Sequence, residues 1–251
     1  MVDNDTNDIE PSFENLDTIE FRDSIIESNY TRLWANKGHS FGEGLVSPDR
    51  NFLMFKIPKN ASTFLVDNLV KLDWEHVNYE DYLESNIKTM VVLRDPISRW
   101  ISGLVEYLFL YHRNILDNII DPFTFDYLPL LGEKLAISLI FEKIVFDDHT
   151  DRQCSFLHNV NIDNTVWFRF DNNLNKNISY FLNSVGLKNN LLDAEKVNSS
   201  EGDDSISMHK RKLKELFEYI ISKDQFKRNT IEQWLWCDIE LYNRVKFYDA
   251  R

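Results

Sequence analysis

The chain has 251 residues, 43% of them hydrophobic, and a formal net charge of −13 at neutral pH. That length suits one α/β domain with a full core, and the acidic balance argues against a nucleic-acid-binding surface, which is ordinarily basic. An acidic protein that binds an anion must do so locally, with a few aimed cations and backbone N–H groups.

The first residues, Met1 to Asp5, form neither a basic n-region nor an apolar h-region. No apolar run reaches the ~18 residues of a membrane helix, so the expectation is a cytoplasmic protein without a membrane span. Cys154 and Cys237 are the only cysteines. They make no zinc or iron–sulfur spacing, and they read as two reduced thiols. Residues 1–20 are acidic and poor in apolar side chains, the composition of a loose tail. Residues 21–251 read as a single domain, with no internal repeat.

In chain order, residues 21–36 have helical spacing through Phe21, Ile25 and Leu33. The stretch from Gly38 to Asp49 contains three of the seven glycines and reads as loop. Phe52 to Ile57 is a short apolar run of the kind found in a buried strand, ended by Pro58. Phe64, Leu65, Leu69 and Val70 then follow at helical spacing. Thr89 to Leu93 is a second strand of this kind. It runs into Arg94-Asp95-Pro96, with proline at a first helical position. Ile97, Trp100, Ile101, Leu104, Val105 and Leu108 continue as a helix, with Trp100 on the apolar stripe. Gly132 to Phe146 is apolar nearly all round and predicts a buried helix. Thr165 to Phe170 is a third strand, followed by a helix around Leu174 to Val185. Lys188 to Ser207 is polar and reads as loop. Leu213, Leu216, Phe217, Ile220 and Ile221 mark a helix, and Ile231, Trp234, Leu235, Tyr242 and Val245 mark the last one, where Trp234 and Trp236 are core and surface aromatics. Strands alternating with helices predict a parallel sheet covered on both faces.

Two constellations carry chemistry. The first is Lys56-Ile57-Pro58-Lys59-Asn60-Ala61-Ser62-Thr63-Phe64. A strand that ends in a loop opening a helix presents amides at the positive end of a helix dipole. Small residues let an anion approach, hydroxyls add donors, and Lys59 adds a point charge. The same residues equally read as an ordinary Ser/Thr cap beside a surface lysine. They do not make the P-loop of ATPases, since no glycine lies between Gly44 and Gly103. The second is Arg94-Asp95-Pro96-Ile97-Ser98-Arg99-Trp100-Ile101-Ser102. An arginine at a strand tip and a hydroxyl eight residues on can hold one phosphate from two sides. Alone, Arg94 and Asp95 also read as a simple ion pair.

In this order the pair resembles the sulfotransferases that use 3′-phosphoadenosine 5′-phosphosulfate (PAPS). The first loop is similar to that family's 5′-phosphosulfate loop, and the second to its 3′-phosphate motif. The form Pro58-Lys59-Asn60-Ala61-Ser62-Thr63-Phe64 is nearest to the carbohydrate (heparan 2-O-like) members. Weaker similarities follow in order: Asp148-His149-Thr150-Asp151-Arg152-Gln153, with Arg152 where the family has proline; Trp167 to Leu174; Val197-Asn198-Ser199-Ser200; and Asp238 to Tyr242. The resemblance spans residues 51–245 and leaves the first fifty unmatched.

The resemblance implies a three-layer α/β sandwich with a central parallel sheet, akin to the P-loop NTPase fold. It implies PAPS as sulfuryl donor and no metal. The acceptor would be a hydroxyl or amine on a carbohydrate or a small hydroxylated molecule. Lys59 would stabilise charge on the bridging oxygen. Lys59, Asn60, Ala61, Ser62, Thr63 and Phe64 would hold the 5′-phosphate side, and Arg94 and Ser102 the 3′-phosphate, with Asn198 and Ser200 near the adenosine. The general base falls to His149 first, Glu106 second and His76 third. Lys210-Arg211-Lys212 reads as the solvated start of a helix, or as a reach toward the 3′-phosphate or an anionic acceptor. Arg152 has no assigned role. The small size and the missing anchor point to a bacterial or viral source. Two other readings stand beside this one: a P-loop-type kinase, and a nucleotide-binding module of the same fold without activity.

Overall fold

In the computed structural model, the residues described are 43–82, 86–111, 113, 116, 140–141, 144–157, 160–188 and 204–250. They form five strands: β1 (Glu43–Val46), β2 (Phe52–Phe55), β3 (Glu75–Asn78), β4 (Lys88–Leu93) and β5 (Thr165–Arg169). Among them are also seven α-helices: α1 (Ser62–Leu69), α2 (Pro96–Tyr111), the single turn α3 (Gln153–Phe156), α4 (Leu174–Ser184), α5 (Asp204–Lys223), α6 (Gln225–Trp234) and α7 (Trp236–Arg244). The expected helix at 21–36 and the tail at 1–20 lie outside the described residues, as does most of the stretch 132–146.

The sheet order is β3-β1-β2-β4-β5. β2, β4 and β5 are parallel, with Met54 opposite Met90 and Val91 opposite Trp167. β1 runs antiparallel to both β2 and β3. The sheet is therefore mixed, which corrects the expectation of a purely parallel one. β1 also corrects the loop expected from Gly38 to Asp49. Its glycine marks a close backbone approach, not a turn: a Cβ at Gly44 would sit 2.6 Å from the Met54 carbonyl oxygen.

Alternation along the parallel strands explains why both faces are covered. Phe52, Met54, Met90 and Val92 point to one side, where they meet Phe64, Leu65 and Leu69 of α1 and Ile178, Phe181 and Leu182 of α4. Leu53, Phe55, Val91 and Leu93 point to the other side, against Cys154 and Phe156 of α3 and Cys237 and Leu241 of α7. Both cysteines are buried free thiols. A third cluster joins α2, α5 and α6 through Trp100, Leu104, Leu213, Phe217 and Ile231. Trp100 is fully buried, and its indole N–H donates to the Ile144 carbonyl at 2.9 Å.

Several boundaries move. α5 starts at Asp204, inside the stretch read as loop to Ser207. The last predicted helix is two, α6 and α7, hinged at Leu235. Trp234 is half-buried on the first, and Trp236 stands 41% exposed at the start of the second. No described helix is long and apolar enough to cross a membrane.

Candidate functional site

The site lies beyond the carboxyl ends of β2 and β4, where open α/β sheets bind ligands. After β2 the chain turns, with the Asn60 amide donating to the Ile57 carbonyl at 3.2 Å. Lys59 (φ 68°) and Ala61 (φ 60°) are both left-handed and neither is glycine. Such residues cost roughly 1–3 kcal/mol each and persist where the surroundings over-determine them. Ala61 is the residue that precedes α1, and it has no side-chain oxygen to cap the helix. The cap reading of Ser62 and Thr63 is thereby corrected: both lie inside the first turn, Ser62 half-buried and Thr63 exposed. The amides of that turn face the loop at the positive helix end. Phe64 buries its ring in the core and can offer only its amide.

Three buried side chains pin this loop. Asn60, 2% exposed, donates through Nδ2 to the Val92 carbonyl at 2.8 Å and to Gln153 Oε1 at 2.6 Å. Gln153 in turn closes on the backbone of Arg94, accepting from its N–H at 3.0 Å and donating to its carbonyl at 2.9 Å. Arg99 is 1% exposed and donates to the carbonyls of Pro58 at 3.0 Å, of Asp148 at 3.5 Å and of Asp151. Asp238 of α7 accepts from the amides of Gln153 at 2.7 Å and Cys154 at 2.8 Å, which caps α3 from a distant element.

After β4, Asp95 does not pair with Arg94. Its Oδ1 accepts from the Ser98 amide at 2.8 Å and starts α2. Arg94 turns instead over the Phe170 ring, 4.9 Å from its centre, and donates to the Lys59 carbonyl at 3.3 Å. The two predicted constellations therefore meet. Ser102 is 8% exposed on α2, one turn before Glu106.

Glu106 is the junction. Its Oε2 accepts from Lys59 Nζ at 3.0 Å and from Lys210 Nζ at 2.9 Å. Burial alone would raise its pKa, but the two ammonium groups hold it at about 2. Lys59 lies below the usual lysine range because it is buried and because Lys210 and Arg94 repel it, with Glu106 opposing. Lys214, one turn along α5 from Lys210, is lowered by burial and by Arg94 and Lys59. Lys59, Arg94, Lys210 and Lys214 therefore share one small space, in which Glu106, Asp95 and Glu218 offset only part of the repulsion. Such a donor set, beside uncapped helix amides, fits a polyanion.

The other expected residues fall as follows. His149 sits in the turn that packs on α2, where a Cβ at Gly103 would lie 1.8 Å from the His149 carbonyl oxygen. Its Nδ1 is 2.9 Å from Asp147 Oδ2 and 3.1 Å from Asp148 Oδ1. Burial pulls its pKa down, but the two carboxylates raise it to about 9, so it is an imidazolium at neutral pH. The ligating atoms of these three residues lie within 4.8 Å of one another. The proton shared by Nδ1 already satisfies the pair. His76 is exposed on β3, opposite Leu45 and two strands from β2, and no described contact brings it to the cluster. Asn198 and Ser200 lie outside the described residues. Arg152 stacks 4.8 Å from the Trp234 ring centre.

Lys214 escapes a motif-based reading, and Lys210 reads there as a solvated charge. The available signal is their spacing of four beside the apolar Leu213 and Phe217, which turns both lysines toward the α2 side. Of the basic run, Arg211 points to Glu215, 3.9 Å away and exposed.

No family model matches the chain, and neither the curated proteins nor the solved structures include a match.

Proposed function

We propose that the protein is a sulfotransferase that moves the sulfuryl group of PAPS to a hydroxyl of an acceptor. The observation that carries this reading is the Lys59–Glu106–Lys210 bridge set on a left-handed loop, at a helix start, beside Arg94. PAPS brings an activated sulfuryl group on a phosphate; the protein supplies placement, charge and a proton acceptor. The α1 amides with Ser62 and Thr63 bind the 5′-phosphate. Arg94 serves the 3′-phosphate, with the Ser102 hydroxyl as its expected companion and Lys214 adding charge.

Chemistry then needs two things. The bridging oxygen gains negative charge as the sulfur–oxygen bond breaks, and Lys59 and Lys210 answer that charge. The acceptor hydroxyl forms the new oxygen–sulfur bond and loses its proton to a base, a role we give to Glu106 because it sits between Lys59 and Lys210. While both lysines hold it, Glu106 is a poor base at about 2. An anion that draws the lysines away leaves a partly buried carboxylate, and burial raises its proton affinity. Donor binding thereby switches the base on. The leaving group is adenosine 3′,5′-bisphosphate.

The test is calorimetry with adenosine 3′,5′-bisphosphate, together with mass spectrometry of acceptors incubated with PAPS. The unmodified chain binds the nucleotide, and Arg94→Ala weakens it at least tenfold. Lys59→Ala loses roughly 10²–10³-fold in kcat, the usual loss when one donor to a developing oxyanion is removed. No nucleotide binding by the unmodified chain would refute the reading.

A further inference from the structure

Resting on the sulfotransferase reading, we propose that Gln153 is a positioning residue: it ties the two phosphate-binding loops together at a fixed spacing, and that spacing makes the site select a doubly phosphorylated nucleotide over a singly phosphorylated one. Asn60 belongs to the loop after β2, and Arg94 follows the tip of β4. Donors from both meet on a single atom. Gln153 Oε1 accepts from Asn60 Nδ2 at 2.6 Å and from the Arg94 N–H at 3.0 Å. Gln153 Nε2 completes the clasp by donating to the Arg94 carbonyl at 2.9 Å. Asn60 Oδ1 is buried and has no hydrogen-bond partner among the described residues. Turning that amide over would set its oxygen against two others, the Val92 carbonyl and Gln153 Oε1, so Nδ2 is committed to the clasp.

Gln153 is itself fixed from behind. It opens α3, whose Cys154 and Phe156 pack with Leu53 of β2 and Leu93 of β4. Its amide and that of Cys154 donate to the two carboxylate oxygens of Asp238, which is 1% exposed in α7. The loops are also tied by Arg94 Nη1, which donates to the Lys59 carbonyl at 3.3 Å, but that bond occupies the guanidinium the 3′-phosphate needs. The Gln153 clasp occupies only backbone groups of Arg94 and two buried side-chain amides, so a nucleotide competes for none of it. The clasp therefore keeps one spacing in the empty and the occupied site. The two phosphates of adenosine 3′,5′-bisphosphate hang on one ribose and hold a near-constant separation. A site of matching fixed spacing takes the second phosphate at little further entropic cost, whereas two independent loops would each have to be ordered. A nucleotide with one phosphate gains nothing from the spacing.

The experiment titrates the full chain with adenosine 3′,5′-bisphosphate, adenosine 5′-monophosphate and adenosine 3′-monophosphate by calorimetry. A monophosphate too weak for direct titration is read by its displacement of the bisphosphate. Gln153→Leu, similar in size but without hydrogen-bonding groups, weakens the bisphosphate about thirtyfold and leaves both monophosphates within about threefold. Asn60→Ala opens the clasp from the other loop and gives the same pattern, at about tenfold, even where Gln153→Leu does not fold by circular dichroism. Where both fold, the double variant binds the bisphosphate no more weakly than Gln153→Leu alone, because the two changes break one link. Equal losses for all three nucleotides in both variants would mark Gln153 as a merely structural residue and overturn the proposal, as would an unchanged affinity for the bisphosphate. Bisphosphate binding with such equal losses sinks the clasp alone. No bisphosphate binding by the unmodified chain sinks the sulfotransferase reading and the clasp with it.

Discussion

Replacing Glu106 by glutamine removes the one carboxylate that both Lys59 and Lys210 share. The drop in its pKa from 4.5 to about 2, the net of ion pairing over burial, corresponds to at most about 3 kcal/mol of pH-linked stability. The carboxylate is 23% exposed and the lysines comparably so, and solvent screening brings the working figure to about 1–2 kcal/mol. Because the folded pKa is depressed, this stabilisation is present above pH 4.5 and is lost as pH falls toward 2. Glu106→Gln should therefore be about 1–2 kcal/mol less stable at pH 7 by urea denaturation, and the gap should narrow steadily as pH falls from 4.5 toward 2. The same change frees two ammonium groups. Adenosine 3′,5′-bisphosphate should then bind about fivefold more tightly by calorimetry, the equivalent of roughly 1 kcal/mol, while sulfuryl transfer falls for want of a base. A stability gap that does not vary with pH would refute the electrostatic reasoning. Weakened nucleotide binding would refute the idea that Glu106 and the nucleotide compete for the same lysines.

Three further outcomes follow from the geometry. His149 has a folded pKa raised to about 9, so its contribution is full below pH 6.5 and fades as pH rises through 9. The urea midpoint of His149→Gln should approach that of the unmodified chain between pH 6.5 and 10, and a constant difference would contradict the Asp147–Asp148 clamp. Gly103→Ala drives a methyl group into the His149 carbonyl at 1.8 Å and should cost about 3 kcal/mol, read as a lowered thermal midpoint. Ala61→Gly relieves a φ of 60° and should raise stability by about 1 kcal/mol by urea denaturation; a loss would mean that Ala61 is unstrained.

The parallel part of the sheet was readable because each strand carries its own punctuation. β2 stops before Pro58, and β4 runs into Asp95-Pro96, where the aspartate caps the next helix. β1 was not readable, since Gly38, Gly42 and Gly44 resemble turn residues until Met54 is seen against Gly44. Lys59, Arg94 and Glu106 were visible as candidates because each sits within a local pattern. The clasp that joins them was not: Asn60 meets Gln153 across 93 positions, and no window of sequence holds both. Lys214 stayed hidden for a related reason. Its spacing from Lys210 fits a solvated helix face as well as a cation pair, and only the packing of α5 on α2 decides between them. For His149 the sequence offered an imidazole near two aspartates, but not which nitrogen they would share.

Arg99 spans the loop at Pro58 and the 148–151 turn with a single guanidinium. That group stays charged across the whole range in which proteins fold, so the rivet does not loosen when the solution turns acidic or basic. The loop and the turn are thereby tied to one another by a group of constant charge, whereas Lys210 and Lys214 come in from α5 on flexible four-carbon stems.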